Sequence, residues 1–322
     1  MLLLLPAALA QAPPIVNGTP ATDWSGVGAL MVCQDDCAVL CTAALITEQH
    51  ILTAAHCAED AKAAAGVVRF VTGPDADAPD QSRDVAQWAI HPEFSTRSSG
   101  DAQVFVYDLA VAVIEEPIAG AAVLPLSAEV VNSTWVGAEI TYVGYGITRD
   151  DRRDAGTARQ ASVPIVDFDN YNLYGLDTRE EQNTCSGDSG GPALRELDGL
   201  GVAIVGVSSF VYSSAYDTPC TGGGSGAARV DIAVDFITNA APAAVFVGGP
   251  GPVDTGSPDD SGDSGDSGET GPVEPGGCGQ GCAAPLAPGG LGWLLGLWGL
   301  VRRAGRGSGP LGPPSRPGRP PG

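Results

Sequence analysis

Basic residues are scarce in this sequence. Its 322 residues include 16 Lys and Arg against 38 Asp and Glu, a formal charge of −22 at neutral pH. Residues 302–322 hold five of the arginines and no acid, so everything before them carries 11 basic and 38 acidic residues, or −27. A body this acidic argues against nucleic acid as a partner, because a phosphate backbone needs cations to neutralise it. It predicts good solubility and repulsion from anionic membrane surfaces. Histidine is scarce too, with three in the chain, and no C-x-x-C pair exists, although Cys33, Cys37 and Cys41 are spaced by four. That ligand set is too thin for a zinc site, and no metal is assigned on it.

Long apolar runs are missing from residues 15–240. Short ones stand there instead, at residues 27–32, 43–47, 67–71, 110–114, 140–143 and 202–207, separated by Gly, Pro, Asp and Ser clusters. Several are β-branched, and turn signals recur about every ten residues, the pattern of an all-β barrel or sandwich. One helix is expected over residues 232–238. Asp231 stands before it as an N-cap, and Ile232 and Phe236 lie at helical spacing. The length suits one β domain of about 200 residues with appendages, or two ordinary domains.

The eight cysteines are even in number. A short apolar stretch begins at Leu2 and ends in Ala8-Leu9-Ala10, a cleavage pattern, though no Lys or Arg precedes it. Residues 1–10 therefore read as an export signal, and the cysteines as disulfides formed in an oxidising compartment. Cys33 and Cys37 flank Gln34-Asp35-Asp36 and are placed to pair across a hairpin turn. Asp75, Asp77 and Asp80 form an acidic loop that could hold calcium, although such loops are more often simply solvated.

The end of the chain changes character. Residues 245–282 are mostly Gly, Pro, Ser and acid with Cys278 and Cys282, and they should form a disordered spacer. Residues 283–301 are apolar with Trp293 and Trp298, just long enough for a transmembrane segment, and a basic tail of residues 302–322 follows. A spacer, a cysteine, an apolar helix and then arginines resemble the C-terminal sorting tails of exported myxobacterial proteins. Arginines behind the span would stay cytoplasmic and leave the rest outside.

Three motifs carry chemistry. In Cys185-Ser186-Gly187-Asp188-Ser189-Gly190-Gly191-Pro192, small neighbours let a substrate reach Ser189 and let backbone N–H groups converge. A serine nucleophile needs a base, and Thr53-Ala54-Ala55-His56-Cys57 supplies one. His50 and His91 read as surface or loop residues. A base needs an orienting carboxylate, and Asp108 opens the apolar run Leu109-Ala110-Val111-Ala112-Val113. The order His56, Asp108, Ser189 and the residues around each resemble the chymotrypsin/trypsin-like serine proteases. Ile15-Val16-Asn17-Gly18, Tyr142-Val143-Gly144-Tyr145-Gly146 and Val205-Gly206-Val207-Ser208-Ser209-Phe210 resemble further motifs of that family.

The resemblance implies two six-stranded antiparallel β-barrels with a C-terminal helix, over residues 15–244. It implies a catalytic triad of His56, Asp108 and Ser189, and an oxyanion hole from Gly187 and Ser189. It implies disulfides Cys41–Cys57 and Cys185–Cys220, and no cofactor. It makes residues 11–14 a short propeptide, with the freed amino group of Ile15 pairing with Asp188. The specificity pocket falls to Asn183, Ser209 and Val211. Asn183 stands where trypsins carry an aspartate, so preference for Arg or Lys should be reduced. The expected partners are protein or peptide substrates and, through the tail, a membrane; the protein should be a monomer, secreted or held at the cell surface. An inactive binding homologue or an adhesin would not need the whole triad with its oxyanion glycines.

Overall fold

The computed structural model describes residues 15–99, 102–212 and 220–249. Twelve strands carry the architecture. Six close a first antiparallel barrel: Val27–Cys33 (β1), Cys37–Leu45 (β2), His50–Thr53 (β3), Val67–Thr72 (β4), Gln81–Ile90 (β5) and Ala110–Ile114 (β6), in the ring order β1-β2-β3-β6-β5-β4. Six more make the second: Glu139–Gly144 (β7), Arg159–Phe168 (β8), Asn172–Gly175 (β9), Pro192–Leu197 (β10), Gly201–Tyr212 (β11) and Gly224–Arg229 (β12). Their order is β10-β7-β8-β9-β12-β11, closed by the pairing of β11 with β10. The two-barrel expectation therefore holds. Closure removes the free edges that a sheet of short strands would otherwise expose.

Each apolar run of the sequence lies on or against one of these strands, and small residues set how closely the strands pack. The core of the first barrel includes Leu30, Leu45, Ile51, Phe70 and Ile114, all fully buried. The second barrel centres on Ile140, Tyr142, Val163, Leu173 and Ala227. Among the described residues there are three disulfides: Cys33–Cys37, Cys41–Cys57 and Cys185–Cys220. Cys33 and Cys37 are directly opposed across the β1–β2 hairpin.

Two expectations need correction. The last helix is Val234–Ala240 (α2), two residues later than the sequence pattern suggests, with Ala233 at its N-cap. Asp231 does not cap it. Its carboxylate takes Arg229 at 2.6 Å and the Val131 N–H at 3.1 Å, a charged partner outcompeting a helix end. Second, the ordered chain runs past residue 244: Phe246–Val247 pairs in parallel with Leu126–Ser127, the stretch between the two barrels. Residues 1–14 and 250–322, with the expected signal, propeptide, transmembrane segment and basic tail, lie outside the described residues. Among the described residues no helix is long and apolar enough to cross a membrane.

Candidate active site

His56 sits on a helix that the sequence pattern did not reveal, Ala55–Ala63 (α1). Its alanines favour the helix but give no amphipathic stripe. Strand β3 ends at Thr53, and Cys57 is tied to Cys41 of β2, so the first turn of α1 is fixed to the first barrel. Asp108 is fully buried just ahead of β6. Its Oδ1 accepts the His56 backbone N–H at 2.9 Å, and its Oδ2 contacts His56 Nδ1 at 2.7 Å. The carboxylate therefore fixes both the backbone and the ring of one residue.

The second barrel adds a third donor. Ser209 Oγ donates to Asp108 Oδ2 at 2.5 Å. Ser209, expected at the specificity pocket, directs its hydroxyl to Asp108, and β11 carries a register irregularity between Ser208 and Phe210. Burial alone would lower the His56 pKa. The hydrogen bond and charge of Asp108, with Asp60 and Glu59 nearby, outweigh it and hold the imidazole above 6.5. Phe105 stacks on the ring at 5.3 Å between centroids.

Ser189 lies on a turn braced from both barrels. Thr42 N donates to the Ser189 carbonyl at 2.8 Å, and Thr42 Oγ1 to that of Gly187 at 2.8 Å. Gly187 has φ +97°, and a Cβ there would meet Gly146 Cα at 2.8 Å, so only glycine serves. The Asp188 and Gly190 N–H groups are spent, on Cys185 O at 3.0 Å and Ser208 O at 2.7 Å. Among the described residues the N–H groups of Gly187 and Ser189 have no partner, so two donors on one turn remain free. No hydrogen bond joins Ser189 Oγ to His56 Nε2 among the described residues. Such bonds commonly tighten only when substrate binds.

Asp188 points away from the cleft and is fully buried. Its oxygens accept the N–H groups of Gly146 and Cys185, each at 2.8 Å. Burial pushes its carboxyl up to about 7 against the opposing pull of those bonds and of Arg159. Ile15 is also fully buried. Val16 bridges to Asn183, whose N–H donates to the Val16 carbonyl at 3.3 Å. No hydrogen bond between Ile15 and Asp188 occurs among the described residues.

Asn183 is 1% exposed and has both amide ends engaged: Nδ2 donates to Cys220 O at 3.0 Å, and Oδ1 accepts Thr184 N at 2.9 Å. Val211 packs against the Cys185–Cys220 disulfide. Directly across from Val211 stands Ser225, fully buried, whose hydroxyl has no hydrogen-bond partner among the described residues, like that of Thr184. His91 lies in a loop, one of the two settings expected for it, but it is not on the surface. It is 8% exposed and stacks on Tyr107 at 4.3 Å, against Phe236 of α2. Asp75, Asp77 and Asp80 do not gather into a ligand set. Asp75 instead accepts the Asp77 N–H at 3.0 Å.

A row of aromatic rings leads away from His56. Phe105 meets Phe210 of β11 at 6.4 Å, and Phe210 meets Tyr174 of β9 edge-on at 6.0 Å. Both Phe210 and Tyr174 pair with Gly226, which has no side chain to separate them. Tyr212 continues the row at 5.9 Å from Tyr174. All four rings are partly exposed.

Two antiparallel barrels with a buried aspartate on a half-buried histidine, beside a glycine-flanked serine turn, define the chymotrypsin-type class. Residues 15–237 match the family model described as Trypsin, and the chain belongs to that family. It is 29% identical to brachyurin of Leptuca pugilator over 190 residues, covering 55% of this chain and 80% of that one. It is 26% identical to trypsin of Phaedon cochleariae over 189 residues, covering 54% and 70%. The match to serine proteinase stubble of Drosophila melanogaster is 29% identical over 173 residues, and spans 47% of this chain but only 21% of that protein. By family it is a serine endopeptidase.

Proposed function

We propose that the chain cleaves peptide bonds through an acyl-enzyme, with Ser189 as nucleophile, His56 as general base and Asp108 as the carboxylate that orients it. The observation that carries this is the His56–Asp108 pair beside a turn with two unspent N–H groups. Asp108 holds the tautomer with hydrogen on Nδ1, leaving Nε2 free to accept. Ser189 Oγ bonds to the carbonyl carbon, its proton passes to Nε2, and the carbonyl electron pair moves to oxygen. The Gly187 and Ser189 N–H groups hold that oxyanion, a role worth about 10²–10³ in rate per donor. Collapse expels the amine, which takes the proton from Nε2. Water, deprotonated by the same nitrogen, then releases the acid. No cofactor enters these steps.

Substrate would lie along β11. From Ser209 to Tyr212 that strand pairs, among the described residues, with β12 alone, which leaves its other edge for an added strand. The Ser208 N–H and carbonyl bond to Gly191 and Gly190 beside the nucleophile, and β11 runs away from there. An antiparallel peptide therefore runs towards Ser189, with the residues preceding the scissile bond beside Phe210 and Tyr212. The aromatic row makes those preceding positions apolar. Asn183, Thr184, Ser225 and Val211 carry no charge, so the side chain at the scissile bond is a neutral one. Three disulfides fit an extracellular protein, and the apolar residues 283–301 would hold it at the cell surface.

The test uses protein beginning at Ile15 and a peptide library varied on the N-terminal side of the cut, with Ser189→Ala as control. Cleavage by the parent and not the control is expected. A folded, inactive parent with a verified Ile15 terminus would refute the reading. Membrane retention lost on deleting residues 283–322 checks the anchor.

A further inference from the structure

Arg159 opens β8 and stands directly opposite Gly144 in the β7–β8 pair. Opposed residues of an antiparallel pair present their side chains on one face, with Cβ atoms about 5 Å apart. Gly144 has no side chain, and Asp188 fills the vacant space: a Cβ on Gly144 would lie 2.2 Å from Asp188 Oδ1. The Asp188 carboxylate thus lies over the same face of these two strands from which Arg159 emerges. Arg159 is 8% exposed, which is unusual for a guanidinium. Its Nη1 donates to the carbonyls of Asp154 at 3.4 Å and Thr157 at 3.3 Å. Its Nε is buried with no partner among the described residues.

A buried carboxylate without a cation is costly, and a buried pair that loses one member is strongly destabilised. Asp188 shares its turn with Gly187 and Ser189, so its carboxylate and the two oxyanion donors move together. Ile15 is already buried while still joined to Pro14, yet its nitrogen is then an amide and brings no charge. Among the described residues no ion pair joins Arg159 to Asp188 directly. The nearby charge of Arg159 still favours the Asp188 carboxylate, and Asp154 and then Asp188 favour the charged guanidinium.

We propose that Arg159 is a positioning residue whose charge, acting through space rather than by direct contact, favours the Asp188 carboxylate and so keeps the 187–189 turn in working order before the chain is cut ahead of Ile15. The uncut chain then has basal activity of its own. This rests on the serine endopeptidase reading. It adds a charge internal to the second barrel to the amino group that the cut would supply.

The experiment compares the full chain with its residues ahead of Ile15 verified by sequencing against the same chain started at Ile15. Each is made as parent, Arg159→Gln and Arg159→Lys. The readout is the rate at which a fluorophosphonate probe labels Ser189, with thermal melting recorded alongside. Arg159→Gln should slow labelling of the uncut chain about tenfold or more but that of the Ile15-started chain less than about threefold, and Arg159→Lys should recover most of the loss. Equal slowing in both forms marks a merely structural role and overturns the proposal, as does no slowing in either. The uncut parent is a second check that no misfolded variant can spoil: if it fails to label while the Ile15-started parent labels, the proposal falls. If neither parent labels, the serine endopeptidase reading itself falls.

Discussion

Ser209 and Asp108 come from different barrels and meet at 2.5 Å, on the same carboxylate oxygen that contacts His56. The donor draws off part of the charge that the imidazolium would otherwise feel. Ser209→Ala should lower kcat/KM by about tenfold, the scale of one hydrogen bond to a charged group. The acid limb of the pH profile should move upward. Asp108→Asn should cost far more, about 10⁴-fold for this catalytic arrangement, because the wrong tautomer then forms. Steady-state kinetics on one peptide ester separates the two.

His56 must be neutral to act, and its pKa is raised in the folded protein. Activity should therefore fall as pH drops through a value above 6.5. Asp60 and Glu59 contribute to that rise from the surface of α1. The double variant Glu59→Gln, Asp60→Asn should shift the acid limb to lower pH with little change in the plateau rate. An unmoved limb would show that solvent screens both charges.

Asp188 gives the uncut chain an unusual pH dependence of stability. Its carboxyl is raised from 3.8 to about 7 in the folded state. Between those values the folded chain holds a proton that the unfolded chain has released, so stability from this group is greatest at low pH and declines as pH rises through the window. Above the folded value the loss is complete. Asp188→Asn should flatten the decline in melts recorded across the window. A slope that survives the substitution would assign it to other groups.

Asn183→Asp is the obvious route to cleavage after Arg or Lys, and the structure gives it a cost. Asn183 Nδ2 donates to Cys220 O at 3.0 Å, and a carboxylate there would set oxygen against oxygen. A loss of about 1–3 kcal/mol is expected. Cleavage after basic residues should rise while the melting temperature falls. A rise without any fall would mean that the side chain turns away from Cys220.

Much of this was legible in the sequence because the chemistry demands particular neighbours. Gly187 must adopt positive φ, Cys57 must anchor the helical turn that carries His56, and Asp108 must open a buried strand; each leaves a mark in the order of residues. What stayed hidden depends on contacts between distant segments. The register irregularity of β11 at Ser209 has no periodic signature. The aromatic row joins Phe105 of one barrel to Phe210 and Tyr174 of the other across a bare Gly226. Helix α1 is too rich in alanine to show an apolar face. Asp231 has the sequence position of a cap, but Arg229 claims its carboxylate, and the burial of the loop residue His91 comes from Tyr107 and Phe236.

The two ends of the described chain cross over. Thr19–Pro20, which precedes the first barrel, pairs with Arg159 and Gln160 of the second. Helix α2, which follows the second barrel, lays Phe236 on His91 of the first. Each barrel is thus gripped by the other's loose end, like two hands clasping opposite wrists. Severing either strap should loosen the seam between the barrels, although Thr42 and Ser209 still bridge it. Because His56 stands on one barrel and Ser189 on the other, a nick at those ends should weaken the proposed activity before it unfolds the protein.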